Sequence, residues 1–163
     1  MSTATAMIIG ASSQLSQALA RQLSAQQVSL VLFVNDPESL NEFSQSLPGE
    51  VSVYPLAIDQ PDTLITQLNT AWTKHNGAHL VIVNTGVNDY DPSLPWAIDK
   101  LAIDINVMGF AAANNCIFKL MCDQGYGQLA AINSIAGQRG GPNVAYHASK
   151  AFAENYLQGL SMH

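Results

Sequence analysis

Five short apolar runs, each followed by a stretch of helical pattern, constrain the fold of this chain more than any other feature. They occupy residues 4–9, 28–34, 51–56, 79–84 and 127–133. Each has the length of a strand, and most are apolar at successive rather than alternate positions. Such runs suit strands buried on both faces, as in a parallel sheet. Parallel neighbours cannot be joined by a hairpin, so each connection must cross back over the sheet, usually as a helix. The intervening sequence supplies those crossovers. Leu15, Leu19 and Leu23 recur at helical spacing, and a short helix is expected around residues 38–45. Pro61-Asp62 opens a helix that runs to about His75, where Asn76-Gly77 stops it. Longer helices are expected over residues 94–123 and 146–159. This alternation predicts an α/β domain, with right-handed crossovers and helices on both faces of a parallel sheet. Residues 1–163 read as a single domain, without repeats, low-complexity segments or a linker. That length is enough for a substantial core.

Charge narrows the partners. Six basic residues stand against twelve acidic ones, a net charge of −6. Nucleic-acid binding needs clustered basic residues to neutralise phosphates, so it is not expected. No apolar run has the length that a membrane span requires, so no membrane partner is expected. The N-terminal Met-Ser-Thr-Ala-Thr-Ala lacks a basic segment and leads straight into the first strand, unlike a signal peptide. Cys116 and Cys122 fall on different faces of one expected helix. A disulfide between them is not expected, and a reducing cytoplasm is the natural compartment. The four histidines show no ligand spacing, so no metal site is expected.

In α/β sheets ligands bind at the C-terminal ends of the strands, and the chemistry-bearing residues collect there. Gly10-Ala-Ser-Ser-Gln14-Leu-Ser16 joins the first strand to its helix. A tight turn into a helix N-terminus offers free N–H groups and partial positive charge to a phosphate, although a plain strand-to-helix turn has the same outline. Gln14 and Ser16 occupy positions where a dinucleotide turn usually carries glycine, and Gln14 adds bulk where a pyrophosphate would approach. After the second strand, Val34 and Asn35 supply neither a carboxylate nor a guanidinium to read a ribose. Asp36 could reach a ribose or cap a helix, which leaves NAD or NADP open. Asn84 and Gly86 follow the fourth strand, with Asn84 either ligand-facing or turn-forming. Asn106 lies inside the long helix; if buried it needs partners, and packing or a kink would account for it equally well. Ser134 ends the fifth strand. Tyr146 and Lys150, four apart on a helix, point into the same space. A cation beside a phenol stabilises the phenolate, so this pair suits proton transfer to a carbonyl oxygen or from an alcohol.

Taken together, Gly10-Ala-Ser-Ser, Asn84-Thr-Gly86, Asn106-Val-Met-Gly109, Asn133-Ser134-Ile-Ala-Gly137 and Tyr146-x-x-x-Lys150 resemble the short-chain dehydrogenase/reductase family, piece by piece and in the family's order. The resemblance implies a doubly wound Rossmann-type sheet of order 3-2-1-4-5, with NAD or NADP as cofactor and a small-molecule carbonyl/alcohol pair as substrate. It implies Tyr146 as acid/base, and Lys150 as its electrostatic partner and a ligand of the nicotinamide ribose. Ser134 would hold the substrate oxygen, and Asn106 would anchor a water that links Lys150 to solvent. Gly10, Ser12 and Ser13 would line the phosphates beside Gln14 and Leu15. Asn35 would face the cofactor, and Asn84 and Gly86 would support it and the sheet. An Asp usual after the third strand is replaced by Ala57, with Asp59 nearby. The family pattern continues into two more strands, a nicotinamide loop and a lid, so the chain reads as C-terminally truncated relative to it. That leaves an uncharged edge strand over residues 127–133 and implies a homo-oligomer, dimer or tetramer, formed through the helices of residues 94–123 and 146–159 or through that edge. The alternative is a weakly catalytic or non-catalytic remnant, a dinucleotide-binding or oligomerisation module.

Overall fold

The computed structural model describes residues 4–163. Residues 1–3, on which part of the signal-peptide expectation rests, lie outside the described residues. Strands β1 (Thr5–Ile9), β2 (Ser29–Val34), β3 (Val51–Pro55), β4 (Leu80–Val83) and β5 (Gln128–Ala131) form one parallel sheet in the order β3-β2-β1-β4-β5. This is the order expected of the doubly wound fold.

The apolar runs divide their side chains between two cores, because successive residues of a strand face opposite ways. Ala6, Ile8, Leu30, Leu32 and Val34 face α1 (Gln14–Ala25) and the short α2 (Asn41–Gln45), meeting Ala20, Leu19, Leu23 and Phe43. Met7, Ile9, Val31, Phe33, Val81 and Val83 face the other layer. There they meet Leu64, Leu68 and Trp72 of α3 (Pro61–Lys74), Phe110 and Ile117 of α5 (Phe110–Gln124), and Ala153 of α6 (Val144–Leu160). Register fixes the arrangement, with Met7 opposite both Val31 and Val81. Each large side chain fully buried this way is worth about 2 kcal/mol. The edge strand β5 is only partly covered, in contrast to the central strands.

The long helix departs from its expected uniformity. It begins with α4 (Trp96–Ile103), which follows Pro95, widens into a π turn at Asp104–Gly109, and then continues as α5. Leu94 has positive φ and stands outside the helix. The widening coincides with two close contacts. Asn106 turns its side chain toward the segment after β4, and Gly109 packs on the loop after β3, where a Cβ would lie 2.1 Å from the Ile58 carbonyl oxygen. The resulting rod, Trp96–Gln124, has 29 residues and is long and apolar enough to cross a membrane, which corrects the expectation drawn from single apolar runs. Its packing accounts for its composition: Phe110, Ala113, Ile117 and Met121 belong to the core between sheet and α3.

Candidate active site

A cleft of about 400 Å³ opens at the C-terminal ends of β1 and β4, where the strand order reverses. A doubly wound sheet binds its ligands at this point. Gly10, Ser12, Ser13, Asn35, Asn84 and Gly86 line one part of it, and Ser134, Tyr146 and Lys150 line another. The residues picked out by motif therefore meet in one cavity, with three exceptions. Gln14 and Leu15 are exposed and do not line it, and Asn106 stands behind its wall.

The turn end is held by hydrogen bonds internal to the chain. Gly10 has φ +92°, and a Cβ there would lie 2.2 Å from the Asn84 carbonyl oxygen, so glycine is required for conformation and for space. The amides of Gly10 and Ala11 both donate to the Phe33 carbonyl, at 3.0 and 2.8 Å. Ser13 caps α1, its Oγ accepting from the Ser16 amide at 3.1 Å. Ser16 is fully buried and donates its hydroxyl to the Gly10 carbonyl at 2.8 Å. Asn84 Nδ2 donates to Ser13 Oγ and Ser16 Oγ, both at 2.8 Å. Asn84 thus ties the end of β4 to the turn after β1. Ser16 is a working part of that tie, whereas the sequence presented it only as a missing glycine. The bulk of Gln14 does not reach the cleft either. As the first residue of α1 its side chain points to solvent, and the amides of Gln14 and Leu15 lie at the helix's open end.

The other end keeps its polar groups free. Lys150 is 7% exposed. The ion pair found among the described residues joins Lys100 to Asp104 and does not involve it. Burial pushes the Lys150 ammonium below its ordinary range. Its Nζ stands 5.6 Å from the centre of the Tyr146 ring. Ser134, just past β5, uses its Oγ to accept from the Ala136 amide at 3.2 Å, which leaves its proton available. Gly86 and Gly137 allow the convergence. A Cβ on Gly86 would come within 3.2 Å of both Lys150 Nζ and Asn106 Oδ1, and one on Gly137 would sit 2.7 Å from the Lys150 carbonyl oxygen.

Behind these groups lies a buried brace that the sequence did not disclose. Asn106 accepts from the Val87 amide at 2.8 Å, and donates to the Val87 carbonyl at 2.9 Å and to Ser149 Oγ at 3.1 Å. Ser149 in turn donates to the Tyr146 carbonyl at 2.7 Å. The segment after β4 and the first turns of α6 are held together through one asparagine. The only advance sign of Ser149 was its place three residues after Tyr146, on the same helix face.

Two buried polar atoms of cleft-lining residues, Thr85 Oγ1 and Asn133 Oδ1, have no hydrogen-bond partner in the chain. Buried polar groups are rarely left so. Cys116 and Cys122 are both free. Among the described residues no group of three or more His, Cys, Asp or Glu is placed to hold a metal ion.

Comparison with known proteins agrees with this geometry. The chain is 30% identical over 166 residues to an uncharacterized oxidoreductase of Myxococcus xanthus, covering 98% of this chain and 66% of that protein. It thus spans about two-thirds of the relative's length. Among solved structures, a short-chain dehydrogenase from Rhodopseudomonas palustris superimposes with a TM-score of 0.91 at 20% identity, over 100% of this chain and 79% of that one. A metagenomic short-chain oxidoreductase solved in complex with NADP gives a TM-score of 0.88 at 21% identity, over 99% and 75%. At such identities the likeness is one of fold. Residues 4–163 match the family model described as short chain dehydrogenase, and the chain belongs to that family.

Proposed function

We propose that this chain binds a nicotinamide dinucleotide in the cleft and acts as an oxidoreductase that interconverts a carbonyl and an alcohol, with Tyr146 as acid/base. One observation carries the reading: a buried lysine without a carboxylate partner stands over a tyrosine, and a serine with a free proton lines the same cleft, which begins at a glycine turn. The residues fit a dinucleotide. Gly10 lets the turn pack against the Asn84 carbonyl at the floor of the cleft, and the open end of α1 presents amides to a pyrophosphate. When bound, the nicotinamide supplies or accepts the hydride.

The chain's own residues supply positioning and the proton. Ser134 donates its hydroxyl proton to the substrate oxygen and holds it beside Tyr146. In the reductive direction the Tyr146 hydroxyl gives its proton to that oxygen as negative charge develops, and in the oxidative direction the phenolate takes it back. Lys150 stabilises the phenolate by its charge, which is effective because the site is poorly solvated, and it binds the nicotinamide ribose. Asn106 holds the wall on which Tyr146 and Lys150 stand, and orders the water that returns protons to Lys150.

The free cysteines suit the reducing cytoplasm in which we place the protein. Leu101 and Met108 are exposed on the long helix, at 38% and 42%, and together with α6 they suit a homodimer or tetramer. A second reading, a binding or oligomerisation module without turnover, is favoured by the bare outer side of β5. An apolar groove of about 660 Å³ lies there, lined by Phe118, Met121, Leu129 and Leu157 among others.

The test is titration with NADH followed by nicotinamide fluorescence, together with turnover on a panel of aldehydes and ketones. The same titration is made with NADPH. Binding of either with turnover that Tyr146→Phe removes supports the enzyme. Binding without turnover on any carbonyl supports the second reading, and binding of neither contradicts the enzyme and leaves only the oligomerisation module.

A further inference from the structure

Which dinucleotide the cleft selects follows from where the chain's cations are. We infer that the site takes NAD(H) in preference to NADP(H), with Asn35 reading the unphosphorylated adenosine ribose; this rests on the dinucleotide-binding reading above.

Asn35 follows β2 directly and lines the cleft together with Ser12 and Ser13, which follow the neighbouring β1. Its neutral amide offers both a donor and an acceptor, which matches a ribose hydroxyl. A 2′-phosphate in that place adds charge and needs a guanidinium or ammonium to balance it. None is at hand. The chain has six basic residues, and Lys150, at the Tyr146 end, is the one among them that lines the cleft. Arg21 stacks on the Phe43 ring at 4.8 Å, and Lys74 on the Tyr54 ring at 5.5 Å. Lys100 is paired with Asp104. Lys119 lies on α5, and Arg139 precedes α6, where its carbonyl is bound by His147.

The charged residue next to Asn35 is acidic instead, and a second carboxylate follows the cleft wall. Asp36 is held in place because its Oδ1 accepts from the Glu38 amide at 3.1 Å. Asp59 follows Ile58, another residue of the cleft wall. A 2′-phosphate would enter a region of like charge with no counter-ion, and like charges in close juxtaposition oppose binding. The solved fold neighbour that carries NADP has no bearing on this local charge pattern, which belongs to the present sequence.

The experiment measures dissociation constants of NADH and NADPH by isothermal titration at one ionic strength, for the protein as it stands and for Asn35→Arg. Asn35 is exposed, so the substitution should leave folding intact, and circular dichroism checks that. The expected result is NADH bound about tenfold or more tightly than NADPH, with the ratio reduced or inverted in Asn35→Arg. Equal binding, or a preference for NADPH, overturns the inference while leaving the dinucleotide reading intact. An unchanged ratio in Asn35→Arg overturns the assignment to Asn35. If neither dinucleotide binds, the dinucleotide reading and this inference fall together.

Discussion

The two ends of the cleft are built on opposite principles. At the turn end Gly10, Ser13, Ser16 and Asn84 spend their hydrogen bonds on one another, and the result is shape. At the far end Lys150 is buried without a carboxylate, Ser134 keeps its proton, and Tyr146 lines the same cleft with its ring centre 5.6 Å from Lys150 Nζ. The contrast teaches that a site can place its order and its reactivity in different parts. A saturated network fixes geometry and has little left to give a ligand beyond its contour. An unsaturated cluster costs stability and keeps groups ready for chemistry.

Substitutions sharpen this contrast, and the largest effect is expected at the free end. Tyr146→Phe should lower turnover by roughly 10²–10⁴-fold, the range of general acid–base catalysis, with NADH affinity almost unchanged in the same preparation. A Phe variant that keeps full turnover would remove Tyr146 from the chemistry. Next comes the turn. Gly10→Ala must place a Cβ against the Asn84 carbonyl at positive φ, and should cost roughly 3 kcal/mol in denaturant unfolding. Asn84→Ala releases two hydrogen bonds and should cost about 2 kcal/mol. In both turn variants NADH affinity should fall.

Lys150→Met should act in the opposite direction on stability. The ammonium sits below its ordinary value near 10.5 because it is desolvated. Between the folded value and 10.5 the unfolded chain holds more protons, so stability rises with pH there and is lost as pH falls through the folded value. At neutral pH the charged lysine is therefore a burden, and its removal should add about 1 kcal/mol while abolishing turnover. Thermal melts at pH values rising toward 10.5 would show the gap between wild type and variant closing toward the alkaline side. The smallest effect is expected from Gln14→Gly. The side chain is exposed and outside the cleft, so NADH affinity should change by less than about twofold, within the ±0.5 kcal/mol usual for surface changes. Clear tightening would mean that Gln14 does enter the pyrophosphate site.

Much of this was legible in the chain, for physical reasons. Strands buried on both faces leave unbroken apolar runs, so β1, β2 and β4 could be read almost residue by residue. The positions of Tyr146 and Lys150 follow from helix geometry alone. What escaped the sequence depended on direction or on distant pairing. Gln14 was judged by its place in a pattern, but at the start of α1 its side chain is exposed and does not line the cleft. Ser16 looked like a lost glycine because its partners, Gly10 and Asn84, meet it only in three dimensions. The brace from Asn106 to Ser149 joins residues 43 apart, and the π turn at Asp104–Gly109 leaves no mark in helical periodicity.

The central claim, that the ordered end holds the dinucleotide and the free end performs the chemistry, is tested most directly by a crystal structure with NADH bound. The account predicts the pyrophosphate on the amides of Gln14 and Leu15, the adenosine ribose on Asn35, and the nicotinamide ribose within hydrogen-bond distance of Tyr146 and Lys150. A dinucleotide lying in the apolar groove beside β5, or one whose nicotinamide points away from Tyr146, would contradict it.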